Sequence, residues 1–310
     1  MKTTTTVMES LFTSFNTKLQ DGFGRGEAAA SRFLTYCMVL TSSTAMETYA
    51  WLAMLGSMRK WIGPRLADKA VKQAMIVVND DYENTVRVNR NDIDDDKLGI
   101  YPVLFDQMGY DAKLLWPRLA VAAMVENANW LDGNAFFLAS RKYGKNTIKN
   151  YVTDALTAES YAAARQTMMG YVGYDGNTLN VMPDTLIVGP ALEKTAKDIV
   201  VNTKIVVSIA TGDGSKTQPA VIDNMLAGTV KLVVDPLLVG AAANYWFLGA
   251  CNGPVKPVAV QKRKEGALIR WDKDSDTCVK DNNENHYGLH YRGAACLTLP
   301  HLMYAGFKSA

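Results

Sequence analysis

Two acidic runs are the first residues whose spacing suggests chemistry. Asp92-Ile-Asp94-Asp95-Asp96-Lys97 and Asp272-Lys-Asp274-Ser-Asp276-Thr277 both start as a calcium loop starts, with carboxylates on alternate positions. Such a loop also needs glycine at its sixth position for a sharp turn and a bidentate Glu at its twelfth. These runs supply Lys97 and Thr277, then Val103 and Asn283, so both read as solvated acidic turns. Thr211-Gly-Asp-Gly-Ser-Lys-Thr217 imitates a phosphate loop, but no lysine directly follows a correctly placed glycine, and a polar surface loop is the better reading. Gly170, Gly173 and Gly176 miss the spacing of a dinucleotide fingerprint and mark turns instead.

His286, His290 and His301 are the only histidines, none in a zinc-protease pattern, and no G-x-S-x-G elbow occurs. His286 and His290 would share a face on a helix, whereas Tyr287, Leu289 and Tyr291 alternate as in a strand, which gives the histidines packing or surface roles. Cys37, Cys251, Cys278 and Cys296 form no C-x-x-C pair and read as reduced cytoplasmic thiols. No catalytic constellation, metal site or cofactor site emerges, and the chain is not expected to be an enzyme.

The elements that would have to carry any site belong to an ordinary globular chain. Its 310 residues, 48% hydrophobic and 21% charged, suit about two domains or one with large excursions. A net charge of +2 is too small to drive phosphate binding by counterion release, so nucleic acid is not expected as a strongly bound partner. Met1 to Val7 lacks the apolar centre of a signal peptide and no apolar run approaches the ~18 residues of a membrane span, so the chain is expected to fold where it is made, with no membrane partner.

Met8, Leu11, Phe12, Phe15 and Leu19 stand at helical spacing, and Gly22, Gly24 and Gly26 predict that this short helix ends there. Residues 32–40 are apolar and Thr41-Ser42-Ser43-Thr44 breaks the run, giving an arm-like N-terminal region. Residues 47–96 have no long period but carry β-branched stretches at Met75–Val78 and 85–89, and predict a β-hairpin with an irregular tip. Leu104, Met108, Leu115, Leu119, Ala122, Ala123 and Glu126 mark a long helix, in which Pro117 predicts a kink or two abutting helices. Thr157 opens a further helix, residues 186–188 form a strand, and Pro190 starts a helix running to about Val200. Strands follow at 204–210, 231–234, 255–260 and 286–295. Without regular βαβ alternation the class is α+β.

Charge separates along the hairpin region. Arg59, Lys60, Arg65, Lys69 and Lys72 oppose only Asp68, a net +4, while Asp80, Asp81, Glu83, Asp92, Asp94, Asp95 and Asp96 oppose Arg87 and Arg90, a net −5. Two readings stand: the arms neutralise each other in solvent, or each complements a neighbouring copy.

Glu47-Thr-Tyr-Ala-Trp-Leu52 and Met58-Arg-Lys-Trp-Ile-Gly-Pro-Arg65 resemble the Mu-like phage major head subunit family. So does the block from Glu83 to Tyr101, with further matches at Leu131-Asp-Gly-Asn-Ala-Phe-Phe137, residues 157–190, and Asn244-Tyr-Trp-Phe-Leu-Gly249 leading to Lys262. The resemblance implies a Hong Kong 97-like capsid fold. Its N-terminal arm would be 1–45, its extended loop 46–98, its peripheral domain with a long spine helix 99–154 and 246–310, and its axial domain 155–245. The implied function is a major capsid protein that assembles into hexamers and pentamers of an icosahedral head around double-stranded DNA. Its partners would be further copies, a scaffold protein, a portal, decoration proteins and DNA held without sequence specificity. The expected location is the virion, after assembly in the host cytoplasm. No built-in scaffold segment and no Lys and Asn crosslinking pair match, so a separate scaffold and noncovalent linkage are expected. An encapsulating nanocompartment shell is the alternative.

An extended loop lying on a neighbour makes Tyr49, Trp51, Leu52, Trp61 and Ile62 candidate apolar anchors, the other reading being a local core beneath the hairpin. Arg59, Lys60 and Arg65 would seek acidic partners such as Asp92, Asp94, Asp95 and Asp96. Pro117 is the candidate hinge of the spine helix.

Overall fold

The computed structural model describes residues 5–49, 75–95, 98–143, 145–173, 176–210 and 217–307. Helix α1 (Thr5–Ala30) leads into β1 (Cys37–Thr41), β2 (Met46–Tyr49), β3 (Met75–Val78) and β4 (Asp80–Asn89). The short α2 (Arg90–Asp94) and long α3 (Tyr101–Glu126) follow, then β5 (Arg141–Tyr143), β6 (Asn146–Ile148) and β7 (Tyr151–Val152). Next come α4 (Ala158–Met169), β8 (Thr185–Val188), α5 (Glu193–Val200), β9 (Lys204–Ala210), β10 (Thr217–Asp223) and β11 (Lys231–Val234). The chain closes with β12 (Tyr245–Gly249), β13 (Val258–Lys264), β14 (Ile269–Trp271), α6 (Thr277–Asn282), β15 (Glu284–Leu297) and β16 (Met303–Phe307).

The expected stop at Gly22 does not occur, because these glycines serve packing between helices. A Cβ on Gly26 would sit 2.6 Å from the Tyr110 carbonyl oxygen and 2.9 Å from the Lys113 Cβ, and Gly22 and Gly109 are equally crowded by the facing backbone. Only Gly24 faces open space. Phe15 stacks on Phe105 with ring centroids 4.3 Å apart, and the contacts advance together along α1 and α3, so the two helices run parallel. The buried face of α3 also differs from the expected stripe. Phe105, Met108, Gly109, Trp116, Ala120 and Met124 point inward, while Leu104 and Ala122 are exposed. The helix is apolar nearly all round, so spacing alone does not select its inner face. It runs without interruption through a buried Pro117, which removes the two-helix alternative.

Two five-stranded sheets share the core. In the first, the long β15 carries antiparallel β4 along one side and β13 and β14 along the other, and β1 joins β13 in parallel. The strand alternation expected around Tyr287 is thus observed. Within the expected hairpin region β2 pairs antiparallel with β3, whereas β4, with residues 85–89, pairs with β15. The second sheet has the order β11-β8-β12-β16-β7, and β8 is wholly buried. One core lies among α1, α3 and the two sheets, with Phe15, Trp116, Phe247 and Tyr287; another lies under α4 and α5, with Tyr161, Leu186 and Trp246. Thr157 caps α4 as expected, accepting from the Ser160 amide at 3.1 Å while the Ser160 hydroxyl accepts from the Thr157 amide at 2.9 Å.

Candidate assembly surface

The ribbon β2–β3 has one apolar face against the body and another away from it. Its cross-strand pairs Met46 with Val78 and Thr48 with Ile76 share a face, and the side chains of Met46, Ile76 and Val78 are all exposed, Ile76 by 60%. On the opposite face Val77 is buried against Ala259, Ala294 and Cys296, with Tyr49 and Met75 packed beside it. Buried amides fasten this root. The Tyr49 hydroxyl donates to Gln261 Oε1 at 2.6 Å, and Gln261 Nε2 donates to Asn79 Oδ1 at 2.6 Å. Asn79 Nδ2 then donates to the Ser42 hydroxyl and the Thr44 carbonyl, each at 3.0 Å. Glu47 accepts from the Ser43 and Thr44 amides and the Ser42 hydroxyl, which hold its carboxyl below the usual range. Burial pushes the Tyr49 hydroxyl up to about 12, so it stays a donor.

A second ribbon, β9–β10, pairs only with itself among the described strands. Val206 and Val221 face each other across it, 70% and 65% exposed, and Met225 at its foot is 90% exposed. Asn224 anchors that foot, its amide group donating to the Asp198 and Ile199 carbonyls at 3.0 Å and to Asn202 at 2.7 Å. A third apolar strip, Ile100, Val103 and Leu104, opens α3.

Of the residues expected at an interface, Tyr49 sits at the ribbon root and is half-buried. Trp51, Leu52, Arg59, Lys60, Trp61, Ile62, Arg65 and Asp96 lie outside the described residues. Asp92 accepts from the Tyr101 hydroxyl at 2.6 Å, and Asp94 and Asp95 are exposed at the end of α2. Gln261, Asn79, Val206 and Val221 were not singled out from sequence; the one available signal was the lone amide of Gln261 within the apolar run of β13.

Residues 96–97, 174–175 and 211–216, which belong to the acidic and glycine-rich motifs, lie outside the described residues. Among the described residues no group of His, Cys, Asp and Glu could hold a metal ion. Asp274 pairs with Arg90 at 2.6 Å, and Asp276 accepts the Lys273 amide at 2.9 Å. An open groove of about 440 Å³ is lined by Trp271, Cys278 and His286. There the Cys278 thiol donates to the Trp271 carbonyl, and His286 Nε2 faces Glu284 at 3.1 Å. Burial pushes the Cys251 and Cys296 thiols up to about 12, the behaviour of small packed hydrophobes. Among the described residues no helix is long and apolar enough to cross a membrane.

Comparison with known proteins settles the lineage. The family model for the Mu-like prophage major head subunit gpT matches residues 8–153, 142–238 and 237–309. The chain belongs to this family. It is 34% identical over 132 residues to the major capsid protein of Escherichia phage Mu, covering 42% of each chain. It is 30% identical over 142 residues to the Mu-like prophage FluMu major head subunit of Haemophilus influenzae, covering 45% of each. These alignments span less than half the length of either relative. A subunit of the bacteriophage JBD30 procapsid shares the fold with a TM-score of 0.55 at 22% identity, over 99% of this chain and 77% of that one. The α+β architecture is therefore the Hong Kong 97-like fold of phage shell subunits.

Proposed function

We propose that this head-subunit family member is a major capsid protein. Its copies assemble into the hexamers and pentamers of an icosahedral phage head that encloses double-stranded DNA. The observation that carries this reading is the family match running from residue 8 to residue 309 on a phage-shell fold. The uncovered apolar ribbons support it, because large exposed apolar patches mark surfaces that another chain covers. The role is structural, without a catalytic step.

In this reading residues 1–45 are the arm region, 46–98 the extended loop, 99–154 and 246–310 the peripheral domain and 155–245 the axial domain. Trp51, Leu52, Trp61 and Ile62 anchor the loop on a neighbour, Tyr49 instead holds the root of the loop to its own subunit through Gln261, and Arg59, Lys60 and Arg65 meet carboxylates such as Asp92, Asp94, Asp95 and Asp96. A scaffold protein, a portal, decoration proteins and DNA bound without sequence specificity complete the head, assembled in the host cytoplasm and found in the virion. Pro117 is the hinge of the spine helix, since its missing N–H leaves the Lys113 carbonyl without a helical partner.

Electron microscopy of the purified chain, with and without a scaffold protein, tests the function. Closed shells or capsomers are expected, and persistent monomers under both conditions would refute it. Truncating Arg59, Lys60 and Arg65 together should weaken assembly at low salt, and unchanged assembly would remove the charge argument. Unchanged maturation kinetics in Pro117→Ala would remove the hinge.

A further inference from the structure

We infer that Gln261 is a positioning residue for assembly: it sets the orientation of the β2–β3 ribbon and so the direction in which Met46, Ile76 and Val78 face a second copy of this chain. The inference rests on the self-assembly reading.

Gln261 is fully buried in β13, yet its side chain is spent on the ribbon rather than on its own sheet. Each end of the amide takes a different strand. Oε1 accepts the Tyr49 hydroxyl from the last residue of β2, and Nε2 donates to Asn79, the residue directly after β3, and faces the Val77 carbonyl of β3 at 3.5 Å. The donors and acceptors fix one amide orientation. Asn79 uses its own Nδ2 on Ser42 and Thr44, so only its Oδ1 is left to meet Gln261, which must present Nε2 there and Oε1 to Tyr49. One rigid planar group in the body therefore grips both strands of a ribbon that joins no larger sheet among the described strands.

Apolar packing by Val77 alone would hold the ribbon down without fixing its tilt, because dispersion and hydrophobic contacts have no direction. Hydrogen bonds have direction, and those buried from water are costly to leave unmade. A ribbon held at one angle presents its outer face to a neighbour already ordered, which lowers the cost of docking.

The test uses the full chain with Cys278→Ser, spin-labelled through Thr48→Cys on the ribbon's outer face and Ala122→Cys on exposed α3. Inter-label distances are measured in the free labelled subunit, and the rate of shell assembly is measured separately on the unlabelled chain. With Gln261 present the distance distribution should be narrow. Gln261→Met, similar in shape but unable to hydrogen-bond, should broaden it while cooperative unfolding persists, and should slow assembly about tenfold or more. Tyr49→Phe removes one bond only and should give a smaller broadening and a severalfold slowing; it carries the test if Gln261→Met fails to fold. Combining Tyr49→Phe with Gln261→Met should add little to Gln261→Met alone, because both act through one contact. A merely stabilising residue would lower the unfolding midpoint without widening the distances. A narrow distribution, or unchanged assembly, in the Met variant overturns the inference. If the subunit with Gln261 intact never assembles, the self-assembly reading fails instead, and the distance distributions still decide whether Gln261 orients the ribbon.

Discussion

Alanine at Gly26 and alanine at Gly24 should change stability in opposite directions, although both glycines lie inside the C-terminal part of α1. Helix propensity favours both changes equally, by about 1 kcal/mol for Gly to Ala in a helix interior. At Gly24 nothing lies within 4 Å of the new methyl, so the gain should appear undiminished. At Gly26 the methyl meets the Tyr110 carbonyl oxygen at 2.6 Å, the Lys113 Cβ at 2.9 Å and the Tyr110 Cα at 3.0 Å. None of these atoms is the free end of a side chain that can swing away. The helices must instead separate, which also disturbs the Phe15 and Phe105 stack one face along. Overpacking of this kind costs roughly 1 to 3 kcal/mol, and immovable backbone places it toward the upper end. Because the propensity gain is common to both variants, the difference between them isolates the overpacking cost, about 3 kcal/mol. Urea unfolding followed by tryptophan fluorescence measures it, provided the slopes of the transitions agree. Equal stability of the two variants would show that α1 and α3 are not in close contact at this seam, and the account of the glycine cluster would fall.

His301 is half-buried with its Nδ1 shut off from solvent, and this desolvation depresses its pKa to about 4, so it stays neutral in the fold while the unfolded chain takes up a proton below 6.5. Stability should therefore fall as pH drops from 6.5 to about 4, by about 3 kcal/mol in total, and His301→Gln should lose that part of the pH dependence; parallel pH profiles would contradict it. Asn150→Ala should cost at least about 3 kcal/mol, because the buried side chain serves the Phe136 and Pro300 carbonyls and the Leu138 amide at 2.8 to 3.1 Å; denaturant midpoints test this. Val206→Lys with Val221→Lys should abolish or strongly slow assembly seen by light scattering, while the unfolding free energy stays within about 0.5 kcal/mol.

Local signals carried most of the element assignment. The Thr157 cap, the alternation through Tyr287, Leu289 and Tyr291, and Pro190 at a helix start each depend on near neighbours in sequence, and each is found in place. Misreadings came where the partner was remote. Gly22 and Gly26 carry the composition of a helix stop, and only the backbone of α3, over eighty residues away, makes them an interface. Met75–Val78 is a strand whichever strand it pairs with, and alternation does not say that β2 precedes it in the sheet. The acidic and glycine-rich runs read as turns because each lacks a residue that the chemistry of its motif requires. Surface strips such as Val206 and Val221 were illegible for the converse reason: their types suit a core strand, and only the absence of a covering layer distinguishes them.

That missing layer explains a shared feature of the two ribbons. An isolated two-stranded ribbon is marginally stable in water, so an exposed apolar one would ordinarily be a weak point. Here each has a polar lock at its root, Gln261 with Asn79 for β2–β3 and Asn224 for β9–β10, made from buried or half-buried amides rather than from further apolar contacts. Polar locks fix geometry while leaving the outer apolar faces free for other chains. In the proposed assembly no single contact between two copies has to be strong on its own. A shell repeats the contact over many copies, and multivalency converts weak, well-oriented contacts into a stable whole. Strong single contacts would instead trap misplaced copies. Orientation set inside the subunit, with modest adhesion outside it, is the arrangement self-assembly needs.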